Sequence, residues 1–258
     1  MIAPSKKLIL YELNEVPLKL LRLYSEIRPY SNISSLLNKG NILKTTTNDK
    51  GELHPWSTWP TVHRGVSNET HKINFINQDL TFAKKWPPIW EKLAKTKVSI
   101  GIFGSLQSFP PYIHENTKFY LPDTFSPSHD AYPKDLEAFQ KFNLNIVNKN
   151  KALPRKFSFY DFKNFAKLLI LRHIKFNSIL RIIIHLIKES FHGKYRKRRS
   201  LMQAILSFDV YEKYLLKNKP EFTTYFTNHV AGMMHRYWDN LFHPKNTRES
   251  SFNRNSII

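Results

Sequence analysis

The stretch LILYELNEVPLKLLRLYSEI, residues 8–27, joins two patterns that decide the fold class. Its first half is an apolar run that ends at polar Asn14 and Glu15, which predicts a buried strand from Lys7 to Leu13. Its second half repeats apolar residues at helical spacing with Pro17 in the first turn, which predicts a helix. A buried strand followed directly by a helix is the repeating unit of α/β folds.

The same alternation recurs along the rest of the chain. Apolar runs predict further strands in NILKTTT (41–47), VSIGIFG (98–104), KFYLPDTF (118–125) and EFTTYFTNHV (221–230), and helical spacing predicts helices in PPIWEKLAKTK (87–97) and within PSHDAYPKDLEAF (127–139). We therefore expect an α/β fold with a mostly parallel sheet flanked by helices. We assign residues 1–133 to the first part of this domain, 134–217 to a basic helical cap inserted into it, 218–243 to its return and 244–258 to an irregular tail.

The composition restricts the chemistry and the partners of the chain. None of the 258 residues is Cys, which excludes disulfides and thiolate metal sites. The net charge is +20, and residues 151–200 alone hold 14 Lys and Arg against Asp161 and Glu189. Such a basic segment fits an anionic lipid surface, a nucleic acid or a phosphorylated substrate.

Two sequence features bear on location. The apolar run from Leu8 to Tyr11 is shorter than the roughly 7–15 residues of a signal peptide's apolar region, so we expect a cytoplasmic chain. The best candidate for a membrane span, Leu168–Ile187, contains Arg, Lys and His side chains, which argues against insertion. A peripheral position at a membrane stays open.

Polar residues gather where strands of the predicted sheet end. They form three sets: Glu12, Asn14 and Glu15; Thr58 and His63; and Asn228, His229 and His235. Binding sites of open α/β sheets lie at the carboxyl ends of the strands, so the three sets could converge on one site.

Thr58 is a candidate nucleophile. We expect a helix to begin at or just after Thr58, with Pro60 in its first turn, which would place the hydroxyl beside free N–H groups that favour an anion. A Thr hydroxyl is a weak nucleophile and needs a base or a metal ion to activate it. The alternative is that Thr58 or Ser57 only caps the helix.

Histidines supply the other candidate site residues. His229 and His235 lie close to Asn228 at the end of a predicted strand, a spacing that suits a metal-ligand cluster. Asn14 is a weaker candidate because an amide oxygen is a poor ligand for zinc. His63 has the competing interpretation of an ordinary surface or core residue.

Three stretches together resemble the alkaline phosphatase superfamily, in its type I phosphodiesterase/nucleotide pyrophosphatase branch. HPWSTWPTVHRGV (54–66) with ETHKI (69–73) resembles the nucleophile segment, LILYELNE (8–15) the first strand, and TTYFTNHVAGMMHRYW (223–238) a later strand-end motif. The resemblance covers residues 6–130 and 222–241. It implies an alkaline-phosphatase-like fold in which the residues between them form a variable cap.

The resemblance implies a two-metal mechanism. Thr58 takes the nucleophile position, and His71 falls in the turn that follows. The implied metal-ligand positions are Asn14, Thr58, Asn228, His229 and His235, and two of the Asp residues expected there are Asn. The family binds two divalent metal ions, zinc or alternatively manganese, which activate the Thr and stabilise the transferred phosphoryl group.

The chain also departs from the family pattern. The Asp-His-Gly segment and the final His, which supply further ligands in the family, have no counterpart after Trp238. The pair His129–Asp130 has the wrong place and order. We therefore expect a chain shortened at its C-terminus, equivalent to the front part of such an enzyme, with weakened metal binding.

The basic segment 162–199 has a pattern of its own. Its polar stripe, spaced as on a helix, consists of Ser178, Arg181, His185, Lys188 and His192, and the remaining face is apolar. Three interpretations stay open. The helix packs on its neighbours and leaves a solvated basic end, it lies on an anionic membrane surface, or it binds nucleic acid.

These features predict a metal-dependent phosphodiester hydrolase or phosphoryl transferase that acts through Thr58, in a chain that is shortened and could be inactive. Its substrate would be a phosphorylated small molecule or a lipid- or glycan-linked phosphate. The alternative is a non-catalytic basic protein that binds an anionic membrane or another polyanion through its helical cap.

Overall fold

The computed structural model describes residues 7–76, 78–149 and 174–242. Within these ranges the chain forms an α/β fold with a four-stranded sheet flanked by helices. The strands are β1 (Leu8–Leu13), β2 (Ile100–Phe103), β3 (Thr117–Leu121) and β4 (Phe222–Thr227). Their spatial order is β1-β4-β2-β3. The predicted α/β class is thereby confirmed.

Neighbouring strands of this sheet run parallel. β2 pairs in parallel with both β3 and β4. Between β1 and β4, Leu8 N–H donates to Glu221 O at 2.8 Å and Asn14 N–H donates to Thr227 O at 3.2 Å, so the partners advance together along both strands. β4, which comes late in the sequence, therefore lies between β1 and β2.

The helices described are α1 (Leu18–Ile27), α2 (Asn32–Lys39), α3 (Pro55–Arg64), α4 (Asn68–His71), α5 (Ile89–Lys95), α6 (Glu137–Lys149), α7 (Phe176–Phe191), α8 (Arg199–Asn218) and α9 (His229–Phe242). Short 3-10 helices occupy Phe82–Lys85, Lys134–Leu136 and Gly193–Arg198. Within these ranges, no helix combines the length and the apolar character that a membrane span requires.

Side chains that alternate along the strands build a core on both faces of the sheet. Ile100 and Ile102 of β2 pack in one buried cluster with Trp90 and Ala94 of α5. Phe103, the next residue, packs on the opposite face in a larger cluster with residues of α6 and α8. Parallel sheets are covered on both faces in this way, which explains why their strands read as continuous apolar runs.

The chain divides into two compact units. One comprises Met1–Glu12 and Asn48–Phe226, and it contains most of the sheet and α3 to α8. The other comprises Leu13–Thr47 and Thr227–Ile258, and it contains α1, α2 and α9. In the second unit α1 packs against α2. The division places Glu12 and Asn14, which are nearly adjacent in sequence, in different units.

Three local predictions are wrong. The strand predicted at Lys7–Leu13 forms, but it lies at the edge of the described sheet and is not buried: Leu8 is 60% exposed and Ile9 50%. Residues 41–47 form neither helix nor strand, because their apolar side chains find no face to cover: Ile42 is 49% exposed and Leu43 84%. The helix expected at Thr58 begins earlier, with His54 as its N-cap and Pro55 as its first residue. Pro55 is the residue that fills the favoured first-turn position, and Pro60 lies inside the helix.

Some predictions lie outside the described residues. They concern the part of the basic cap between residues 150 and 173 and the irregular tail at 244–258. The rest of the cap is helical as expected, in α6, α7 and α8. The domain boundaries drawn from the sequence stay a prediction.

Candidate functional site

The carboxyl ends of β1 and β4 bring two predicted site residues together. Asn14 follows β1, Asn228 follows β4, and the side-chain amide of Asn14 donates to Asn228 Oδ1 at 2.7 Å. Asn14 is buried, whereas Asn228 is exposed. Because these strands are parallel neighbours, their ends meet at one edge of the sheet, where α/β proteins place their sites.

His229 and His235 belong to the same compact unit as this amide pair. Nδ1 of His229 lies 2.6 Å from the hydroxyl of Thr227, so another ligand would bind through Nε2. Burial lowers the pKa of His229, which keeps the imidazole neutral as metal binding requires. Nε2 of His235 pairs with Glu15 at 2.9 Å, and Glu15 has a positive φ of 52° directly after β1.

The contacts of the predicted metal ligands form three pairs within this unit: Asn14 with Asn228, His229 with Thr227, and His235 with Glu15. Imidazole nitrogens and a carboxylate are donors that zinc accepts, whereas an amide oxygen is a weak one. The residue types present therefore fit a divalent metal ion only in part. Among the residues that the structure describes, no three His, Asp or Glu side chains form a metal-binding group, so any ion here would depend on the Asn amides.

Thr58 lies in the other compact unit, on the second turn of α3. Its N–H and its hydroxyl both donate to His54 O, at 2.9 and 3.0 Å. The N–H and the hydroxyl of Ser57 donate to the same oxygen, each at 3.0 Å. Neither residue is the N-cap, so the capping interpretation is wrong. A carbonyl oxygen has two lone pairs, so four donors exceed its capacity and the hydroxyls can turn to another acceptor.

His63, the other residue predicted beside Thr58, forms a buried network with Glu12. His63 Nε2 lies 2.9 Å from Glu12 Oε1, and both side chains are at most 1% exposed. Ser105 donates to the same carboxylate oxygen at 3.2 Å and lies 2.7 Å from the hydroxyl of Thr224. Three segments of the sheet and α3 are thereby tied together, so His63 holds the fold as a core residue.

His71 is buried and forms a second cluster with half-buried Thr61 and Asp49, of which the sequence pattern had marked only His71. Ile73 N–H donates to His71 Nδ1 at 2.9 Å, so the proton of the neutral ring is on Nε2. Nε2 lies 3.0 Å from the hydroxyl of Thr61, which donates to the carboxylate of Asp49 at 2.8 Å. Burial is the main cause that lowers the pKa of His71 to about 4. Nothing in the pattern around Asp49 had marked it.

The loops that follow β2 and β3, together with Trp56, Ile76 and the segment 78–84, line an open pocket of about 390 Å³. Trp56, Lys84, Gln107 and Phe125 line it, together with buried Asp123. Burial raises the pKa of Asp123 to about 6, although Phe125 N–H donates to its carboxylate at 2.8 Å. Asp123 was missed in the sequence because the predicted strand, 118–125, includes it; β3 ends at Leu121, which places Asp123 just after the strand.

Comparison of the chain with protein-family models, with curated proteins and with solved structures found no match. The likeness to the alkaline phosphatase superfamily therefore stands on its motifs alone. Those motifs supply Asn14 and Asn228 in contact, and they supply Thr58 in a separate unit.

Proposed function

We propose that the chain binds a phosphoester and hydrolyses it, or transfers its phosphoryl group, with Thr58 as the acceptor. One observation carries the proposal. Asn14 and Asn228, 214 residues apart in sequence, meet at 2.7 Å at the ends of adjacent parallel strands. The two stretches that contain them are those that resemble the metal-ligand segments of the alkaline phosphatase superfamily.

The proposal gives the cluster a cation-binding role. Asn14, Asn228, His229 and His235 would contribute ligands to the predicted divalent metal ions, zinc or manganese, with Glu15 as the anionic partner of His235. A bound ion supplies charge stabilisation to a phosphoryl group and lowers the pKa of a bound hydroxyl. Asn228 also precedes the first turn of α9, and Gly232 N–H donates to its carbonyl at 3.1 Å. The N–H groups of that turn favour a phosphate oxygen.

The proposal gives Thr58 the nucleophilic role. Its hydroxyl shares His54 O with three other donors, so the loss of that one bond costs α3 little. The substrate class is a phosphorylated small molecule or a phosphate linked to a lipid or a glycan. The motifs favour a phosphodiester among these.

The test combines metal content, turnover and trapping of the intermediate. The chain is purified without chelator, its metals are measured by mass spectrometry, and it is incubated with a chromogenic phosphodiester. We expect bound zinc or manganese, turnover that disappears in Thr58→Ala, and phosphate on Thr58 detected by peptide mass spectrometry. Thr96→Ala is the matched control, because the Thr96 hydroxyl also donates to a carbonyl of its own helix, Leu93 O at 2.8 Å.

The metal-binding part has its own control pair. His229→Gln should lower the metal content and the turnover together, because it removes an imidazole ligand. His192→Gln removes an exposed His of the cap and should change neither. The proposal would be overturned if the wild-type chain bound no metal and showed no turnover while its far-UV and near-UV circular dichroism spectra showed that it was folded.

A further inference from the structure

Helix α7 directs its polar side toward the protein. Ser178, His185 and Glu189 are each at most 9% exposed, although all three are polar. His185 and Glu189 lie 3.9 Å apart, and the His185 ring packs edge-on against Tyr195 with centroids 6.2 Å apart. Two members of the polar stripe read from the sequence, Ser178 and His185, are therefore buried rather than solvated.

The apolar side of α7 faces away from the protein. At about 100° per residue, one arc of roughly 100° carries six large apolar side chains. They are Phe176, Leu180, Ile183, Ile184, Ile187 and Phe191, and their exposure runs from 43% to 79%. Isolated exposed apolar residues are common, but a continuous stripe along four turns of a helix marks an interaction surface. We call these six residues the α7 stripe.

The charges beside the α7 stripe are positive. Arg181 and Lys188 are exposed and lie two turns apart along one side of it. Glu189 is the single acidic residue of α7, and it is buried on the opposite side. The sequence continues directly into GKYRKRR, residues 193–199, which adds five basic residues. A surface that combines an apolar stripe with cations and lacks exposed acids is complementary to anionic lipid.

We infer that α7 is an interfacial helix, which lies in the plane of an anionic membrane with the α7 stripe among the acyl chains and Arg181 and Lys188 at the headgroups. The inference goes beyond phosphoester chemistry and is independent of it, because membrane binding requires neither Thr58 nor a metal ion. It commits the cap to lipid rather than to nucleic acid, because a nucleic acid offers no apolar phase for six large side chains.

The experiment is vesicle flotation of the full chain. Vesicles of phosphatidylcholine alone are compared with vesicles that also contain phosphatidylglycerol, and we expect strong partitioning only to the second kind. Ile187→Asp should weaken this partitioning roughly tenfold or more, because a fully buried Ile contributes about 1.5–3 kcal/mol. Leu216→Asp, which replaces a 63% exposed residue of α8, is the control and should bind like the wild type.

Two further variants test the charges without altering the α7 stripe. Arg181→Gln and Lys188→Gln should each weaken binding to the anionic vesicles about fivefold, because one basic residue near the surface contributes about 1 kcal/mol. Both residues are exposed, so the substitutions should leave the thermal unfolding midpoint unchanged.

Three results would overturn the inference. The first is a wild-type chain that does not float with anionic vesicles. The second is a chain that is dimeric by light scattering and becomes monomeric in Ile187→Asp, since a second copy would then cover the stripe. The third is binding to nucleic acid that Arg181→Gln and Lys188→Gln reduce and Ile187→Asp does not, together with weak binding to vesicles. If Ile187→Asp fails to fold, the stripe packs within the chain. The test then depends on Arg181→Gln and Lys188→Gln, and the inference is overturned if both bind anionic vesicles as tightly as the wild type.

Discussion

At the scale of single residues, a contact between His and Glu contributes differently to stability when it is buried and when it is exposed. His63 of α3 and His54, the N-cap of α3, offer a matched comparison. His63 pairs with Glu12 inside the protein, whereas His54 pairs with Glu52 at 3.2 Å on the surface, where Glu52 is 91% exposed. His63→Ala should lower the free energy of unfolding by about 1–3 kcal/mol, because it removes a hydrogen-bond partner of the buried Glu12 and leaves the Ser105 hydroxyl as its partner. His54→Ala should cost less than about 1 kcal/mol. Urea unfolding of both variants measures the difference, and equal losses would contradict it.

His71 makes stability depend on pH in a defined direction. Its folded pKa of about 4 lies below the value of about 6.5 in an unfolded chain, so the unfolded state binds more protons between these values. The stabilisation is complete above pH 6.5 and is lost as the pH falls toward 4, by about 3 kcal/mol in all.

His71→Gln removes this titration. We expect the variant to lose less stability than the wild type between pH 7 and pH 4.5, measured by urea unfolding at both values. His192→Gln, at the exposed His that follows α7, should retain the wild-type difference. Identical pH profiles for wild type and His71→Gln would refute the assignment of the neutral ring.

The candidate residues that the sequence could supply are those at strand ends. Asn14, Asn228 and His229 follow apolar runs, and parallel strands bring such ends together, so their proximity could be predicted. The contact of Asp49 with Thr61 could not be predicted, because Asp49 lies in an irregular loop and only the course of the folded backbone brings it to Thr61. His63 was set beside Thr58 by sequence spacing, but its helical position directs it to Glu12.

At the scale of elements, glycines in a strand and in a helix should respond in opposite ways to the same substitution. A Cβ on Gly101 of β2 would lie 2.4 Å from the Phe119 ring, which is fully buried. Gly101→Ala should therefore destabilise the chain by about 1–3 kcal/mol through overpacking. Gly232 of α9 has nothing within 4 Å of such a Cβ, so Gly232→Ala should stabilise it by about 0.5–1 kcal/mol. Thermal unfolding of the two variants decides, and a shift of the same sign in both would contradict the argument.

The spacing of apolar residues predicted most helices and strands, but it did not predict which neighbours pack on them. β1, β2, β3 and β4 were found because each is an apolar run between polar turns. Residues 41–47 have a similar local pattern, but they stay irregular because the apolar side chains of Ile42 and Leu43 have no face to cover. The stripe of α7 was readable as helical, but its spacing could not tell that the polar side turns inward. Two prolines were available for the start of α3, and local pattern did not distinguish Pro55 from Pro60.

For the whole molecule, the excess of positive charge should make stability depend on salt. The chain carries 40 Lys and Arg against 20 Asp and Glu, so compact packing brings like charges together. Raising NaCl to about 0.15 M shortens the Debye length to about 8 Å and should raise the thermal midpoint. Near the lysine pKa of about 10.4 the same salt step should have a smaller effect. A midpoint that falls with salt at neutral pH would show that attractive pairs dominate.

The fold class could be predicted from the alternation of strand and helix patterns along the sequence. The spatial order of the strands in the sheet could not. A strand followed by a helix, repeated, leads to a parallel sheet by known rules of connection. No feature inside β4 indicates that its neighbours are β1 and β2, because the register depends on which apolar faces α5, α6 and α8 cover. The activity is a further step, since a fold of this kind carries many chemistries.

Because β4 lies between β1 and β2, β1 cannot complete its pairing until β4 has left the ribosome. β1 emerges first, but the partner of its hydrogen bonds arrives about 214 residues later. At roughly 5–20 residues per second, this is a wait of about 10–40 s. During that interval β1 presents unpaired backbone N–H and C=O groups to the cell. Nascent chains of this protein should therefore depend on chaperones until the last strand is inserted.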